Sequence, residues 1–313
     1  MGILKNDITI ESKKVLDEYL SAFEYKTSGL SFSSLYMWRK ENEFSWEIIG
    51  DYMIIAGLSH LEIESHEYFL FPPLTKTGKY ESESLREAVL KAKEIFESKG
   101  ERFSMRLLPS HMKGIIEEAF PGEVEFIDDR PNYDYVYLKQ NLAELAGRAY
   151  HGKKNHLNYF HNNFNYEYVP LRPDMLDIVM QFLEEFNARK VLEPHERAWL
   201  MMETQAMKDV VLNLDKLNYI GGAIVIDGKV EAFSIGGKLG AETVTVHVEK
   251  ANSQIRGLYV AINNEFCKHL PEDIKYVNRE EDMGIINLRK AKLSYKPIEL
   301  VEKNIVKFCL KNS

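Results

Sequence analysis

The residues best suited to chemistry are concentrated in ETVTVHVEKANSQIRG (242–257). Val244, Val246 and Val248 alternate with Thr243, Thr245, His247 and Glu249, the two-residue repeat of a strand with one apolar and one polar face. Such a strand can present His247 and Glu249 to a ligand cleft, where either can act through water as a general base. The plainer alternative is a half-exposed strand with solvated polar residues. Asn252-Ser253-Gln254-Ile255-Arg256-Gly257 then leads into a helix. A helix start offers free backbone N–H groups and the positive end of the dipole, which suit a pyrophosphate. Gly257 removes a Cβ where a phosphate could approach closely, and Arg256 adds charge. Asn252 or Ser253 as an ordinary N-cap explains the same residues without a ligand.

A second group lies in NREED (278–282), where Asn278, Glu280 and Asp282 fall at alternate positions. They share a face if the strand before them continues; otherwise they line a loop at its C-terminal end, where open sheets place ligands. Carboxylates there can take a proton from an amine. They can equally favour the dipole of a helix starting near Gly284. Arg289 and Lys292 follow about one turn apart, placed to pair with those carboxylates, to meet a phosphate, or to be solvated. A third group comprises Arg148, His151, Lys153, Lys154 and His156 with Tyr159 and Phe160 interleaved. Basic and aromatic residues together suit tRNA, an anionic lipid headgroup or a phosphate; a solvated connecting helix is the alternative. No His/Glu/Cys spacing suits a metal, so none is expected.

The bulk properties narrow the classes. A net charge of −8 argues against a uniformly basic nucleic-acid binder but leaves room for a local basic patch. Two cysteines, Cys267 and Cys309, make neither a disulfide framework nor a zinc pattern, and two reduced thiols fit a cytoplasmic protein. No apolar run approaches the roughly 18 residues of a membrane span. MGILKNDITIESKK lacks a signal-peptide pattern, and Asn6 stands where myristoylation needs Ser or Thr.

These groups need elements to hold them. Leu85, Val89, Ala92 and Phe96 recur at helical spacing and predict a helix over 82–99, closed by Gly100. Strand-like runs surround it at 44–49, 52–57, 68–73, 102–108 and 124–127. After a strand at 133–138, a helix over 142–160 and a strand over 165–171 are expected. Two Pro-opened helices follow. Leu176, Val179, Phe182, Leu183 and Phe186 form the buried face of the first, and Ala198, Leu200, Met201, Ala206 and Met207 that of the second. Strands at 218–226, 229–239 and 242–251 come next, the first two joined by an Asp227-Gly228 hairpin turn. A helix over 255–270, a strand at 276–278, a helix over 284–293 and two final strands complete the chain. Mixed order of this kind predicts α+β organisation. The linker is expected near 129–140, dividing the chain into domains 1–132 and 133–313.

The strand and helix order, with QIRG after the fourth strand of the second half, resembles the GNAT (Gcn5-related N-acetyltransferase) superfamily. Its phosphate-binding pattern is Gln or Arg, two residues, Gly, one residue, then Gly or Ala. Gln254 and Gly257 match, and Tyr259 stands where the pattern has a small residue. HVEKAN (247–252), GLYVAINNEF (257–266), NREEDMGIINLRKAKLSYKP (278–297) and KKNHLNYF (153–160) more specifically resemble the family carrying the C-terminal domain of phosphatidylglycerol lysyltransferase. That resemblance implies two tandem GNAT-like lobes, related to Fem-type peptidoglycan aminoacyltransferases, with the donor site in the second. It implies transfer of an acyl or aminoacyl group to an amine or hydroxyl. The donor would be a coenzyme A thioester or an aminoacyl-tRNA, held by Val246, Val248, Gln254, Arg256 and Gly257. Backbone N–H groups of the fourth strand would polarise its carbonyl. Glu249, His247, Glu280 and Asp282 are the candidate bases, and Tyr295 the proton donor by analogy with acetyltransferases. Lys153, Lys154, Asn278, Arg289 and Lys292 are the candidate substrate contacts. Two rivals are a non-catalytic binding protein that keeps the fold, and a peripheral protein meeting anionic lipid through Lys153 and Lys154.

Overall fold

The computed structural model describes residues 2–22, 27–62, 65–189 and 194–309. The chain forms two compact units, Met1–Asp134 with Glu281–Ile286 and Leu300–Ser313, and Tyr135–Glu280 with Asn287–Glu299.

In the first unit the strands are β1 (Asn6–Asp7), β2 (Ser45–Ile49), β3 (Tyr52–Glu62), β4 (Ser65–Leu70), β5 (Leu74–Thr75), β6 (Met105–Pro109) and β7 (Val124–Asp128). Its helices are α1 (Lys13–Leu20), α2 (Phe32–Met37), α3 (Ser82–Ser98) and α4 (Lys113–Ala119). α3 buries Leu85, Val89, Ala92 and Phe96, the residues whose spacing predicted it. It stops before Gly100, whose φ of 78° suits a residue without Cβ.

In the second unit β8 (Asp134–Leu138), β9 (Glu167–Pro170), β10 (Tyr219–Ile226), β11 (Lys229–Lys238), β12 (Thr243–Ala251), β13 (Tyr276–Asn278) and β14 (Glu299–Val301) pair in the order β14-β8-β13-β12-β11-β10-β9. The hairpin turn at Asp227-Gly228 is present, with positive φ at both residues as a primed turn requires. Helices α5 (Lys139–Glu144), α6 (His151–Asn163), α7 (Leu176–Ala188), α8 (Pro194–Leu212), α9 (Leu214–Leu217), α10 (Leu258–His269) and α11 (Ile286–Leu293) complete the set.

Four expectations are corrected. The continuous helix over 142–160 is two helices, because Leu145 and Gly147 adopt positive φ and break it. The two units divide between Asp134 and Tyr135, inside 129–140, but that stretch is a strand and not an exposed connector, with Tyr135, Val136 and Tyr137 fully buried in β8. Met201 is 73% exposed rather than core, although Ala206 and Met207 are buried as expected. The final strand β15 (Lys303–Phe308) lies between β6 and β7 of the first sheet, so a contiguous second domain of 133–313 does not describe the chain. There Lys303 Nζ meets Asp134 Oδ1 at 2.6 Å, and Ser28 donates to Asp134 through its N–H and Oγ. This buried pair anchors the returning strand.

Candidate active site

β12 is the spine of the site. Both its faces are covered: Thr243, Thr245 and His247 are buried along with Val244, Val246 and Val248, so the half-exposed strand is not what forms. Its register on β11 steps from Ile235↔Val248 to Gly236↔Val246, leaving His247 as the extra residue of a β-bulge. Gly236 permits the close approach there, since a Cβ would meet the Thr245 carbonyl oxygen at 2.4 Å. On the other side β12 runs parallel to β13 only from Thr243 to Thr245, opposite Tyr276 to Asn278. Beyond that point it continues to Ala251 with β11 as its strand partner.

Two carboxylates converge on this strand. His247 Nδ1 lies 2.8 Å from Glu280 Oε1, the histidine side chain enclosed and the glutamate 18% exposed. Tyr219 packs edge-on to the imidazole. β13 ends at Asn278, so Glu280 is a loop residue. Its N–H donates to Asn278 Oδ1 at 2.7 Å, its carbonyl accepts from the Tyr135 N–H, and its φ is 55°. A non-glycine residue in this left-handed region marks a position where local strain is tolerated. Glu249 is held differently. Arg279 Nη2 donates to Oε1 at 2.8 Å and Asn263 Nδ2 to Oε2 at 2.9 Å.

Arg279 gathers the rest of the cluster. Its guanidinium sits 4.8 Å from the Tyr295 ring centroid and 5.8 Å from that of Tyr137. Burial raises the Tyr295 hydroxyl well above the ordinary phenol range, with Arg279 opposing, so the phenol stays protonated. Lys153 Nζ lies 4.0 Å from the same ring. Burial and then Arg279 lower its pKa, with Glu249 opposing. Lys292 donates from Nζ to the Arg279 carbonyl and accepts from the Tyr137 hydroxyl at 2.8 Å on its own carbonyl. Lys292 thus ties the Arg279 and Tyr137 positions together through backbone groups. Arg279 Nη1 and Asn263 Oδ1 are buried without a hydrogen-bond partner among the described residues.

The remaining candidates make contacts of their own. Asp282 belongs to the first unit, where Arg130 Nη1 lies 3.1 Å from Oδ2 and the Gly284 N–H donates to Oδ1. Arg289 is partly buried on α11, and Lys154 is exposed and donates to the Glu144 carbonyl. Gln254 is exposed, and its N–H donates to Asn252 Oδ1. Arg256 lies over the Tyr159 ring at 4.3 Å. Gly257 has φ 88°, and a Cβ there would sit 2.3 Å from the His156 carbonyl oxygen, which by itself accounts for the glycine. The Asn252 N–H turns toward Glu231 on β11, so that of Ala251 faces away. Burial raises the Tyr259 hydroxyl, with the Ala251 backbone opposing.

Sequence reasoning passed over Arg279, Asn263 and Tyr137. Alternation along β13 held a signal for Arg279, because Val277 is buried and residue 279 shares its side. Asn263 and Asn264, two polar residues inside an apolar stretch of α10, are both buried.

The pattern described as phosphatidylglycerol lysyltransferase, C-terminal, matches residues 21–307. A conserved protein of unknown function from Bacteroides thetaiotaomicron is 31% identical, and the match covers 97% of this chain and 98% of that one with a TM-score of 0.84. L-PGS from Bacillus licheniformis is 10% identical over 99% of this chain and 95% of that one, with a TM-score of 0.65. A tandem GNAT protein from the clavulanic acid biosynthesis pathway is 10% identical over 98% of both chains, with a TM-score of 0.53. The fold is thus α+β with tandem GNAT-like lobes. Among the described residues no helix is long and apolar enough to cross a membrane.

Proposed function

The chain belongs to the phosphatidylglycerol lysyltransferase C-terminal family, and we propose that it transfers an activated acyl or aminoacyl group to an amine or hydroxyl acceptor in the cytoplasm. The observation that carries this is Glu280, a partly exposed carboxylate on a left-handed backbone, held against an enclosed histidine beside a bulged strand. Glu280 takes the proton from the acceptor's nucleophile, and His247 orients the carboxylate. The nucleophile attacks the donor carbonyl carbon. Backbone N–H groups along β12 stabilise the oxyanion. Collapse breaks the bond to the leaving group, which takes a proton from the Tyr295 hydroxyl. Glu249, with both oxygens engaged, positions Arg279. Arg279 Nη1 and Asn263 Oδ1 offer a donor and an acceptor to the substrate's polar groups. Lys153, Asn278, Arg289 and Lys292 are further substrate contacts in this proposal, and Gln254, Arg256 and Gly257 form the donor turn.

An aminoacyl ester is favoured over a coenzyme A thioester. The family likeness points that way, and Tyr259 stands where the coenzyme A phosphate pattern has a small residue. The test supplies radiolabelled aminoacyl-tRNA or acetyl-coenzyme A, with phosphatidylglycerol (the lipid of the family's name) or a primary amine as acceptor. Label should move from aminoacyl-tRNA, and Glu280→Gln should slow it by about 10²–10⁴-fold. Binding of donor without transfer to any acceptor supports the non-catalytic rival.

A further inference from the structure

Lys153 differs from the other cations around Tyr295. Arg279 donates to Glu249, and Lys292 donates to the Arg279 carbonyl. The Lys153 ammonium lies 4.0 Å from the Tyr295 ring centroid, and among the described residues no hydrogen bond or ion pair holds it. Glu249 is the carboxylate that acts on it, and both Glu249 oxygens are already engaged by Arg279 and Asn263. The Arg279 guanidinium lies 4.8 Å from the same tyrosine ring. Lys153 is also the third residue of α6, where the positive end of the helix dipole opposes a cation. Its side chain is only partly exposed. Lost water, a neighbouring guanidinium and a helix start all favour the neutral amine, and burial and Arg279 lower its pKa accordingly. A neutral lysine amine is a nucleophile, and burial beside another cation is one way to activate it.

We propose that Lys153 is an acylation site, which takes an acyl group from a small donor of the acyl phosphate class and thereby closes the transferase site. The modification stands on its own; the closing role rests on the transferase reading above. The lone pair of Nζ attacks the carbonyl carbon of the acyl phosphate. The N–C bond forms, the C–O bond to phosphate breaks, phosphate leaves with the electron pair, and the proton on nitrogen passes to water. Two features favour this donor over a neutral ester. Arg279 Nη1 has no hydrogen-bond partner among the described residues, so a charged donor remains for a phosphate oxygen. Lys153 and Arg279 also share one tyrosine ring with Glu249 as the carboxylate between them, which leaves positive charge where the phosphate would lie. The product amide is neutral and loses the cation–π contact. Lys153 then no longer meets substrate through its charge, and the acyl group takes up space beside Tyr295, whose hydroxyl serves the proposed transfer.

The full chain is incubated with acetyl phosphate, and acetylation of each lysine is followed in time by mass spectrometry of its peptides. Lys153 should be modified about fivefold or more faster than exposed Lys91 on α3, since each unit by which a pKa falls raises the neutral fraction about tenfold. Inorganic phosphate, which competes for Arg279, should slow labelling of Lys153 and leave Lys91 unchanged. Arg279→Gln, with thermal unfolding to check that the fold is kept, should bring Lys153 to the rate of Lys91 or below. Labelling of Lys153 no faster than Lys91 overturns the proposal, as does labelling indifferent to phosphate. Transfer is then measured before and after treatment. It should fall in proportion to the fraction of Lys153 labelled, whereas Lys153→Arg, which keeps the charge and removes the nucleophile, should lose none of its own rate on the same treatment. Selective labelling with undiminished transfer removes the closing role. Selective labelling of a chain that transfers nothing before treatment keeps the modification and removes the transferase.

Discussion

Glu280 Oε1 and His247 Nδ1 lie 2.8 Å apart, the histidine enclosed and the carboxylate at the edge of solvent. The pair joins the bulge of β12 to the loop after β13, so the two residues hold each other's position. Glu280→Gln preserves the shape and removes the base of the proposed transfer. Transfer should fall by about 10²–10⁴-fold with little change in unfolding midpoint. A rate within threefold of the unaltered chain would remove Glu280 as the base.

Glu249 and Arg279 form a second pair, both side chains 13% exposed. Glu249→Leu leaves the guanidinium without its counter-ion in a largely enclosed setting. Removing one partner of a buried pair costs about 3–5 kcal/mol, and the residual exposure here places the expectation toward the lower end. Urea unfolding measures it. If Glu249→Leu with Arg279→Leu is no more stable than Glu249→Leu alone, the cost does not come from the orphaned charge.

Lys153 should titrate below an ordinary lysine, because burial and Arg279 both disfavour its ammonium. Glu249 opposes them, so Glu249→Gln should lower the midpoint further and Arg279→Gln should raise it. The folded state then releases this proton at lower pH than the unfolded state. Its contribution to stability therefore rises with pH through that window. The ¹³Cε shift of Lys153 followed against pH reports both signs. A midpoint at or above the free-lysine value contradicts the placement of this side chain.

Gly257→Ala tests packing against phosphate approach. Its φ of 88° disfavours any residue with a Cβ, and that Cβ would meet the His156 carbonyl oxygen. Left-handed strain and overpacking together should cost about 2 kcal/mol or more. Denaturant midpoints measure this. Unchanged stability with weakened donor binding alone would show that the glycine serves a ligand instead.

Much was legible in the sequence because it is written in local periodicity. The alternating valines of β12, the i, i+3/i+4 face of α3 and the Asp227-Gly228 turn are short-range patterns, and each formed where it was read. The break between α5 and α6 was harder to see. It depends on a left-handed Leu145, a conformation that leucine does not advertise.

The sequence by itself determined the family and the α+β class. It named His247 and Glu280 separately, since each stood out by residue type on its own element. Tertiary structure decided which of the named residues meet. It brought His247 to Glu280 across the β12–β13 pair, assigned Glu249 to the unnoticed Arg279, and placed Asp282 with Arg130 in the other unit. It also took β15 back into the first sheet. These outcomes rest on strand pairing between distant parts of the chain. Pairing of that kind depends on buried area and hydrogen-bond register summed over a whole sheet, and no window of neighbouring residues records it.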